Sequence, residues 1–466
     1  MCGVIGVFGP AGTRAADLIY LGLYALQHRG EESCGMAISD GTRVRLSKGM
    51  GLVPEVFDRE RLAALPGSMG IGHVRYSTTG ASMVVNAQPL LAYTSRGPVA
   101  VGHNGDLVNA WELRAQLQRQ GSVFQTTTDS EVILNLFARY ADDDPDTAAA
   151  RTMAAIRGGY AVVMLTRDRL LAFRDPFGIR PLCWGKAGDV YIIASESCGL
   201  TALGVEEVHE LAPGELVSVD AAGLRRRRLA GAARDRAPCA FEYIYFSRPD
   251  SELHDRNVHL VRKAIGRRLY QERPVEADVV IAAPDSGTSA AMGFAEAAGI
   301  PFEIGLVKNR YVGRTFIHPD ESVRHLAVKV KLNPNRRVLA GKRVVVLDDS
   351  IVRGTTSRRT VALVREAGAR EVHMYVAAPP FLHPCHYGID ISSRWELIAA
   401  QRSIEEIRAF IGADSLYYLS VEGLCDAVGV RQDQLCLACM TGVYPEPVQD
   451  ARAEEKHALE GIEHCG

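Results

Sequence analysis

Two different patterns of apolar residues divide the chain. Up to about residue 220, short apolar runs alternate with turn residues. Gly3 to Phe8 (GVIGVF) reads as a buried strand stopped by Gly9-Pro10. Residues 16–29 read as a helix with Leu18, Leu21, Gly22, Ala25 and Leu26 on one face, and Gly30 as its stop. VAVG (99–102), AVVML (161–165) and VYIIA (190–194) add strands, so this half is mixed, with several strands and few helices. The second half reads differently. VVIAA (279–283) leads through a loop into a helix ending at Ala298, with Gly299 and Pro301 beyond it. RVVVL (343–347) leads into DDSIVRGTTS and a helix to about Gly368, and VHMYVAA (372–378) follows. Fully apolar strands alternating with helices predict a parallel sheet covered on both faces. Residues 220–238, rich in Ala, Gly and Arg, mark the junction and give domains 2–235 and 236–466. Within it, Arg225 to Arg228 read as a solvated strand or linker rather than an anion site. The charged tail from about residue 450 reads as frayed or helical.

Composition narrows the function classes. A chain of 466 residues accommodates two or three domains. A formal net charge of −2 gives no case for a nucleic-acid or membrane-surface protein. No stretch is long and apolar enough to span a bilayer. MCGVIGVFGP has no basic leader, so a cytoplasmic location is the default. Ten cysteines are too few for a disulfide scaffold at this length. In a reducing compartment they are buried, catalytic or metal-bound.

Three constellations carry chemistry. Trimming Met1 would leave Cys2 first, with thiol and α-amine on one residue. The amine, with an ordinary pKa of about 7.7–8.0, can take the thiol proton, which is the arrangement of N-terminal nucleophile enzymes. The second constellation is VVVLDDSIVRGTTS (344–357), which begins on a strand and opens a helix. Gly354 permits close approach of an anion to backbone N–H groups. Thr355, Thr356 and Ser357 add hydroxyls at the positive end of the helix. Asp348 and Asp349 suit sugar hydroxyls or Mg²⁺. The third is Cys436-Leu437-Ala438-Cys439 with distant Cys239 and Cys385. Four thiolates suit Zn²⁺ or a [4Fe–4S] cluster, and spacing alone does not choose.

The 344–357 run resembles the phosphoribosylpyrophosphate (PRPP) signature of type I phosphoribosyltransferases. The resemblance implies that Asp348 and Asp349 hold ribose hydroxyls and metal. It implies that residues Arg353 to Ser357 hold the 5-phosphate, that Ser350 belongs to the PRPP site, and that the loop from Pro284 to Ser289 receives pyrophosphate, with Ser286 near Mg²⁺. KNRYVGRTFI (308–317) looks like the mobile loop over PRPP, with Lys308, Arg310 and Arg314 meeting phosphate charge.

CGVIGVFG (2–9), LQHRGEES (26–33), GHVRYSTTG (72–80), GHNGDLVN (102–109) and TTTDSEVI (126–133) resemble, in that order, the glutaminase domain of amidotransferases that begin with Cys. The whole chain order is similar to the glutamine PRPP amidotransferase family, and CAFEYIYFSRPDS, HPCHYGID and CLACMTGVYP to its iron–sulfur class. The implied fold is an αββα N-terminal nucleophile hydrolase domain followed by a type I phosphoribosyltransferase α/β domain with a parallel sheet. The implied roles are Cys2 as nucleophile, Asn104 and Gly105 as oxyanion hole, Arg75 on the glutamine α-carboxylate and Asp129 on its α-ammonium. His28 and Arg29 would order the neighbouring loop. Cys239, Cys385, Cys436 and Cys439 would hold a [4Fe–4S] cluster, distant from both reactions and therefore structural or an oxygen-sensitive stability switch. The implied activity transfers glutamine ammonia through a dry interdomain channel to Mg-bound PRPP. It yields 5-phosphoribosylamine, glutamate and pyrophosphate, with purine nucleotides as feedback inhibitors and a homotetramer as the assembly. Other Cys-started amidotransferases lack the 344–357 motif. Glu31, Cys34 and Asp106 depart from the family pattern, which more often has Gln, Ala and Asn there.

Overall fold

In the computed structural model of the protein, the described residues are 1–229, 236–309, 332–391, 393–448 and 459. The first half is built from two antiparallel sheets. One has seven strands, in the order Val208–Glu210, Cys183–Ala187, Val190–Ala194, Gly3–Phe8, Met69–Arg75, Ser33–Ser39 and Val44–Met50. The other has six, in the order Gly223–Arg228, Glu215–Asp220, Leu170–Arg174, Gly158–Leu165, Gly97–Leu107 and Leu90–Thr94. Between them lies a core that includes Val4, Ile71, Ala100, Val163, Leu170 and Val217.

The outer faces carry helices. Ala15–Ala25 covers the first sheet through Ile19, Leu23 and Leu26. Ser130–Arg139 and Pro145–Ala155 cover the second through Val132, Ile133, Leu136 and Met153. This is the expected αββα layering. Two details of the helix expectation are corrected. The α-helix ends at Ala25 and a 3₁₀ turn, Gln27–Arg29, follows. Its core stripe runs through Ala16, Ile19, Gly22, Leu23 and Leu26, leaving Leu21 51% exposed. A GVIG strand leaves only narrow room above the sheet, so the small Gly22 approaches Ile5 and rotates the face away from Leu21. Arg225 to Arg228 form the exposed edge strand of the six-stranded sheet.

The second half holds the expected parallel sheet, in the order Val279–Ala282, Arg343–Asp348, Glu371–Val376 and Ser415–Tyr418. One face packs on Val258–Glu272 and Thr288–Ala298 through Ile265, Leu269 and Phe294. The other packs on Thr355–Glu366 and Ile404–Ile411 through Val361, Val364 and Ile407. Burial on both faces is what makes these strands uniformly apolar. Gly299 ends its helix at φ 66°, a left-handed conformation that favours glycine. The halves share a core: Met1, Val108 and Ile179 pack with Cys239, Phe241, Tyr387 and Leu437. The tail from residue 449 lies outside the described residues except Leu459.

Candidate active sites

Cys2 sits at the start of the central strand of the seven-stranded sheet and is buried. Its backbone N–H donates to Asn104 Oδ1 at 3.0 Å, and its Sγ lies 3.5 Å from the Tyr76 carbonyl oxygen. Asn104 and Gly105 occupy the strand Gly97–Leu107, which brings the two sheets together at this point. The Asn104 Nδ2 amide is buried without a hydrogen-bond partner. A buried donor left unpaired is costly, and one beside a thiol is where a developing oxyanion would be received. Gly105 has φ 131°, and a Cβ there would lie 1.9 Å from the Gly159 carbonyl oxygen, so only glycine fits.

Burial pushes the Cys2 thiol upward, opposed by the nearby chain amine. The Met1 amine is itself lowered to about 6, first by burial. A low-pKa amine is free base at neutral pH and can accept a proton. With Met1 attached, the Cys2 nitrogen is an amide, so loss of Met1 would create the amine at the point Asn104 Oδ1 already marks.

Arg75 is buried and binds Glu32 Oε1 at 2.7 Å, with Thr79 and Ala81 carbonyl oxygens at 3.0 and 3.2 Å. Asp129 accepts from Leu107 N–H at 3.0 Å and lies 3.7 Å from His103 Nδ1. Asp106 accepts from the hydroxyls of Thr78 and Thr79 at 2.8 and 3.0 Å. Its carboxyl is raised to about 7, chiefly by burial and then by Asp129. Thus Cys2, Asn104, Gly105, Arg75 and Asp129 do cluster, with Glu32, Thr78, Thr79 and Asp106 among them. The departure at Asp106 signalled this residue. The Thr pair carried no signal, because only the folded loop turns it toward Asp106.

The second site lies at the carboxyl ends of the parallel strands, where ligands bind in such sheets. A cavity of about 440 Å³ is lined by Asp348 through Ser357, Ile389 to Ile391, Phe241, Tyr245 and Phe246. His28, Arg29 and Tyr76 from the first half complete its wall. Tyr76 therefore touches both sites. Gly354, at φ 76°, caps Thr355–Glu366 and turns the helix N–H groups toward the cavity. Asp349 N–H donates to Asp348 Oδ1 at 2.9 Å, and Ser286 and Ser350 hydroxyls donate to Asp349. Both carboxyls are raised by burial, Asp348 also by Asp349. Buried Arg262, not foreseen from the sequence, works against this shift at Asp349. Arg353 pairs with Glu396 at 2.8 Å, and Lys308 with Asp285 at 3.0 Å. Arg314, with residues 310–317 of the expected mobile loop, lies outside the described residues.

The sites are joined by a buried ion network. Arg29 Nε donates to the Cys2 carbonyl oxygen at 2.9 Å, and its guanidinium pairs with Glu196 and with Glu242 Oε1 at 2.7 Å. Glu196 also binds His28 at 2.8 Å and the Ser251 hydroxyl at 2.7 Å.

Cys239, Cys385, Cys436 and Cys439 come together around Arg180 at the shared core. Cys239 and Cys436 pair as a parallel bridge, and both are buried. Burial pushes Cys239 up to about 11. The Arg180 side chain is fully buried and its Nη2 has no hydrogen-bond partner. The expectation that this cysteine site is distant from both reactions is corrected. Gly388, three residues after Cys385, packs on Gly105, and Ile389 to Ile391 line the second cavity.

Residues 73–202 match the glutamine amidotransferase domain family and residues 251–396 the phosphoribosyl transferase domain family. Fold and sites thus define a glutamine-dependent transferase that couples an amidotransferase domain to a phosphoribosyl transferase domain. The chain is 47% identical to the amidophosphoribosyltransferase of Bacillus subtilis over 96% of its own length and 94% of the relative's. For that of Methanocaldococcus jannaschii the figures are 48%, 96% and 98%. A solved glutamine PRPP amidotransferase from B. subtilis, complexed with ADP and GMP, superposes with TM-score 0.91 at 47% identity, covering 96% of this chain and 98% of that one. A structure described as the allosteric regulatory enzyme of purine biosynthesis gives 0.93 at 46%, covering 99% and 100%. The chain belongs to the amidophosphoribosyltransferase family, which carries out the first step of purine biosynthesis.

Proposed function

We propose that Cys2, after removal of Met1, attacks the glutamine carboxamide carbon while its thiol proton passes to its own α-amine. The carbonyl oxygen gains the negative charge and is held by Asn104 Nδ2 and Gly105 N–H. Collapse expels ammonia with the returned proton and leaves a glutamyl thioester, which water converts to glutamate. Arg75 receives the α-carboxylate in exchange for its loop carbonyls, and Asp129 the α-ammonium. Ammonia then attacks C1 of PRPP and pyrophosphate leaves, giving 5-phosphoribosylamine. It must arrive unprotonated, since ammonium has no lone pair, and Tyr76, which lines the second cavity and meets Cys2 Sγ through its carbonyl oxygen, is consistent with a short dry path between the sites. The observation that carries this reading is Asn104, whose Oδ1 takes the Cys2 N–H while its Nδ2 is buried and unpaired.

Phosphoribosyl transferase domains generally use Mg²⁺. Ser286, Asp348 and Asp349 suit it, because a shared dication would relieve the burial that raises both carboxyls and the charge that Asp349 places on Asp348. Bound there, Mg²⁺ would neutralise the departing pyrophosphate. Ser350, Arg353, Gly354, Thr355, Thr356 and Ser357 grip the 5-phosphate and ribose, and Lys308 with Arg314 the pyrophosphate.

Cys239, Cys385, Cys436 and Cys439 would hold a [4Fe–4S] cluster, as the resemblance implies, and the buried Arg180 beside them would offset its negative charge. We further propose purine nucleotides as feedback inhibitors at the 348–357 cavity, a homotetrameric assembly, a cytoplasmic location, and a domain boundary between residues 235 and 236. None of the helices among the described residues is long and apolar enough to cross a membrane.

One assay tests the reading: protein with glutamine, PRPP and Mg²⁺, following glutamate and pyrophosphate together. The expected stoichiometry is equal. Cys2→Ser is expected to abolish the glutamine reaction and to keep synthesis from ammonia. A variant that still forms glutamate, or that loses both reactions, overturns the assignment of Cys2.

A further inference from the structure

Three glycines bring three backbones into contact behind the oxyanion hole. Gly105 carries one proposed donor. Gly159 lies on the neighbouring strand, where a Cβ at Gly105 would strike its carbonyl oxygen. Gly388 belongs to the cysteine-bearing segment of the second half. A Cβ on Gly388, at φ 104°, would come within 2.8 Å of Gly105 Cα and 3.0 Å of its carbonyl carbon. A Cβ on Gly159 would come within 2.9 Å of Tyr387 Cβ. The segment is therefore seated directly on Gly105 Cα and on the peptide that follows it, one bond from the N–H that must face the reacting oxygen.

The segment is itself firmly held. Cys385 N–H donates to the Ile391 carbonyl oxygen at 2.8 Å, closing the loop. Tyr387 N–H donates to Cys385 Sγ at 3.4 Å. Arg180 Nε donates to the Tyr387 carbonyl oxygen at 2.6 Å, and Arg180 N–H to Asp175 Oδ2 at 3.1 Å. The same Asp175 oxygen accepts from Tyr160 N–H, which lies opposite Gly105 in the sheet. On the far side, the Tyr387 hydroxyl donates to the Glu446 carbonyl oxygen at 2.5 Å.

We propose that Gly388 is a positioning residue for the oxyanion hole, through which the cysteine-bearing loop sets the rate of glutamine hydrolysis. The proposal rests on the reading of Gly105 as an oxyanion donor and goes beyond it: the four-cysteine site supports one half-reaction directly. Gly388→Ala pushes on Gly105 without touching Cys2, Arg75 or Asp129. A displacement near 1 Å at such a site costs about 10²-fold, so the glutaminase kcat should fall by about that factor. The KM for glutamine should stay within about two- to three-fold, because the groups binding its carboxylate and ammonium are unmoved.

The experiment uses the full chain, measuring glutaminase kcat and KM, ammonia-dependent synthesis, and iron and sulfide content. A selective loss of glutaminase kcat, with ammonia-dependent synthesis and metal content as in the parent, supports the proposal. Unchanged glutaminase, a rise in KM alone, or a parallel fall of both reactions overturns it. If Gly388→Ala gives no soluble protein, Tyr387→Phe decides. It frees the loop from Glu446 while keeping the ring, and is expected to lower the ratio of glutaminase to ammonia-dependent rate several-fold. A ratio equal to the parent's overturns the proposal. Failure of the underlying reading is distinguishable, since the parent protein itself would then release no glutamate.

Discussion

On the proposed reading, Asn104 is the residue on which the first half-reaction turns. Its two amide atoms do different work, one fixing the Cys2 nitrogen and the other left free for the substrate. Removing one oxyanion donor typically costs about 2.7–4 kcal/mol in the barrier. Asn104→Ala is therefore expected to lower glutaminase kcat about 10²- to 10³-fold, while ammonia-dependent synthesis continues. Steady-state assays with each nitrogen donor check this, and an equal loss with both would reject the role. Much of this was legible in the sequence, because Cys2 and the Asn104-Gly105 pair stand in recognisable strings. The unpaired Nδ2 was not, since satisfaction of a buried donor depends on neighbours only folding supplies.

At the scale of elements, the strand–loop–helix unit from Arg343 to Glu366 would, on the proposed reading, build an anion site and a cation site back to back. The carboxyls of Asp348 and Asp349 have folded pKa values above the ordinary carboxylate value. The unfolded chain therefore releases their protons at lower pH than the folded chain does. Stability from this pair is lost as pH rises from the ordinary carboxylate value of about 3.9 toward the raised one. A cation binds the ionised pair and reverses the loss. Mg²⁺ is expected to raise Tm more at pH 8 than at pH 5.5, as scanning calorimetry would read. Equal shifts at both pH values would contradict the assignment. The unit was readable because its strand is uniformly apolar and its helix cap is local. The face of the first helix was misread at Leu21, because the close seat of Gly22 on Ile5, which apolar spacing does not reveal, marks the side that faces the sheet.

Across the whole molecule, Arg29 ties Cys2 to the wall of the second cavity. Its acidic partners Glu196 and Glu242 lie 167 and 213 positions away. No local pattern announces such a pairing, which is why the sequence pointed only to an ordered loop. Removing the cation would leave buried Glu196 with His28 alone and buried Glu242 with only the more distant Arg180, at a cost of about 3–5 kcal/mol. Arg29→Ala is expected to lose that much in urea unfolding, and a change below about 1 kcal/mol would show the network to be solvated.

The six-stranded sheet ends in Gly223–Arg228, whose arginines at 225 to 228 are all exposed. An uncovered rim of N–H and C=O groups invites a stray strand from another molecule. Here that rim carries charge: Arg225 pairs with Asp146 and Asp220, and Arg226 with Glu215. The stretch that looked like a mere junction is thereby an edge whose charge makes it a poor template for a second copy of the strand.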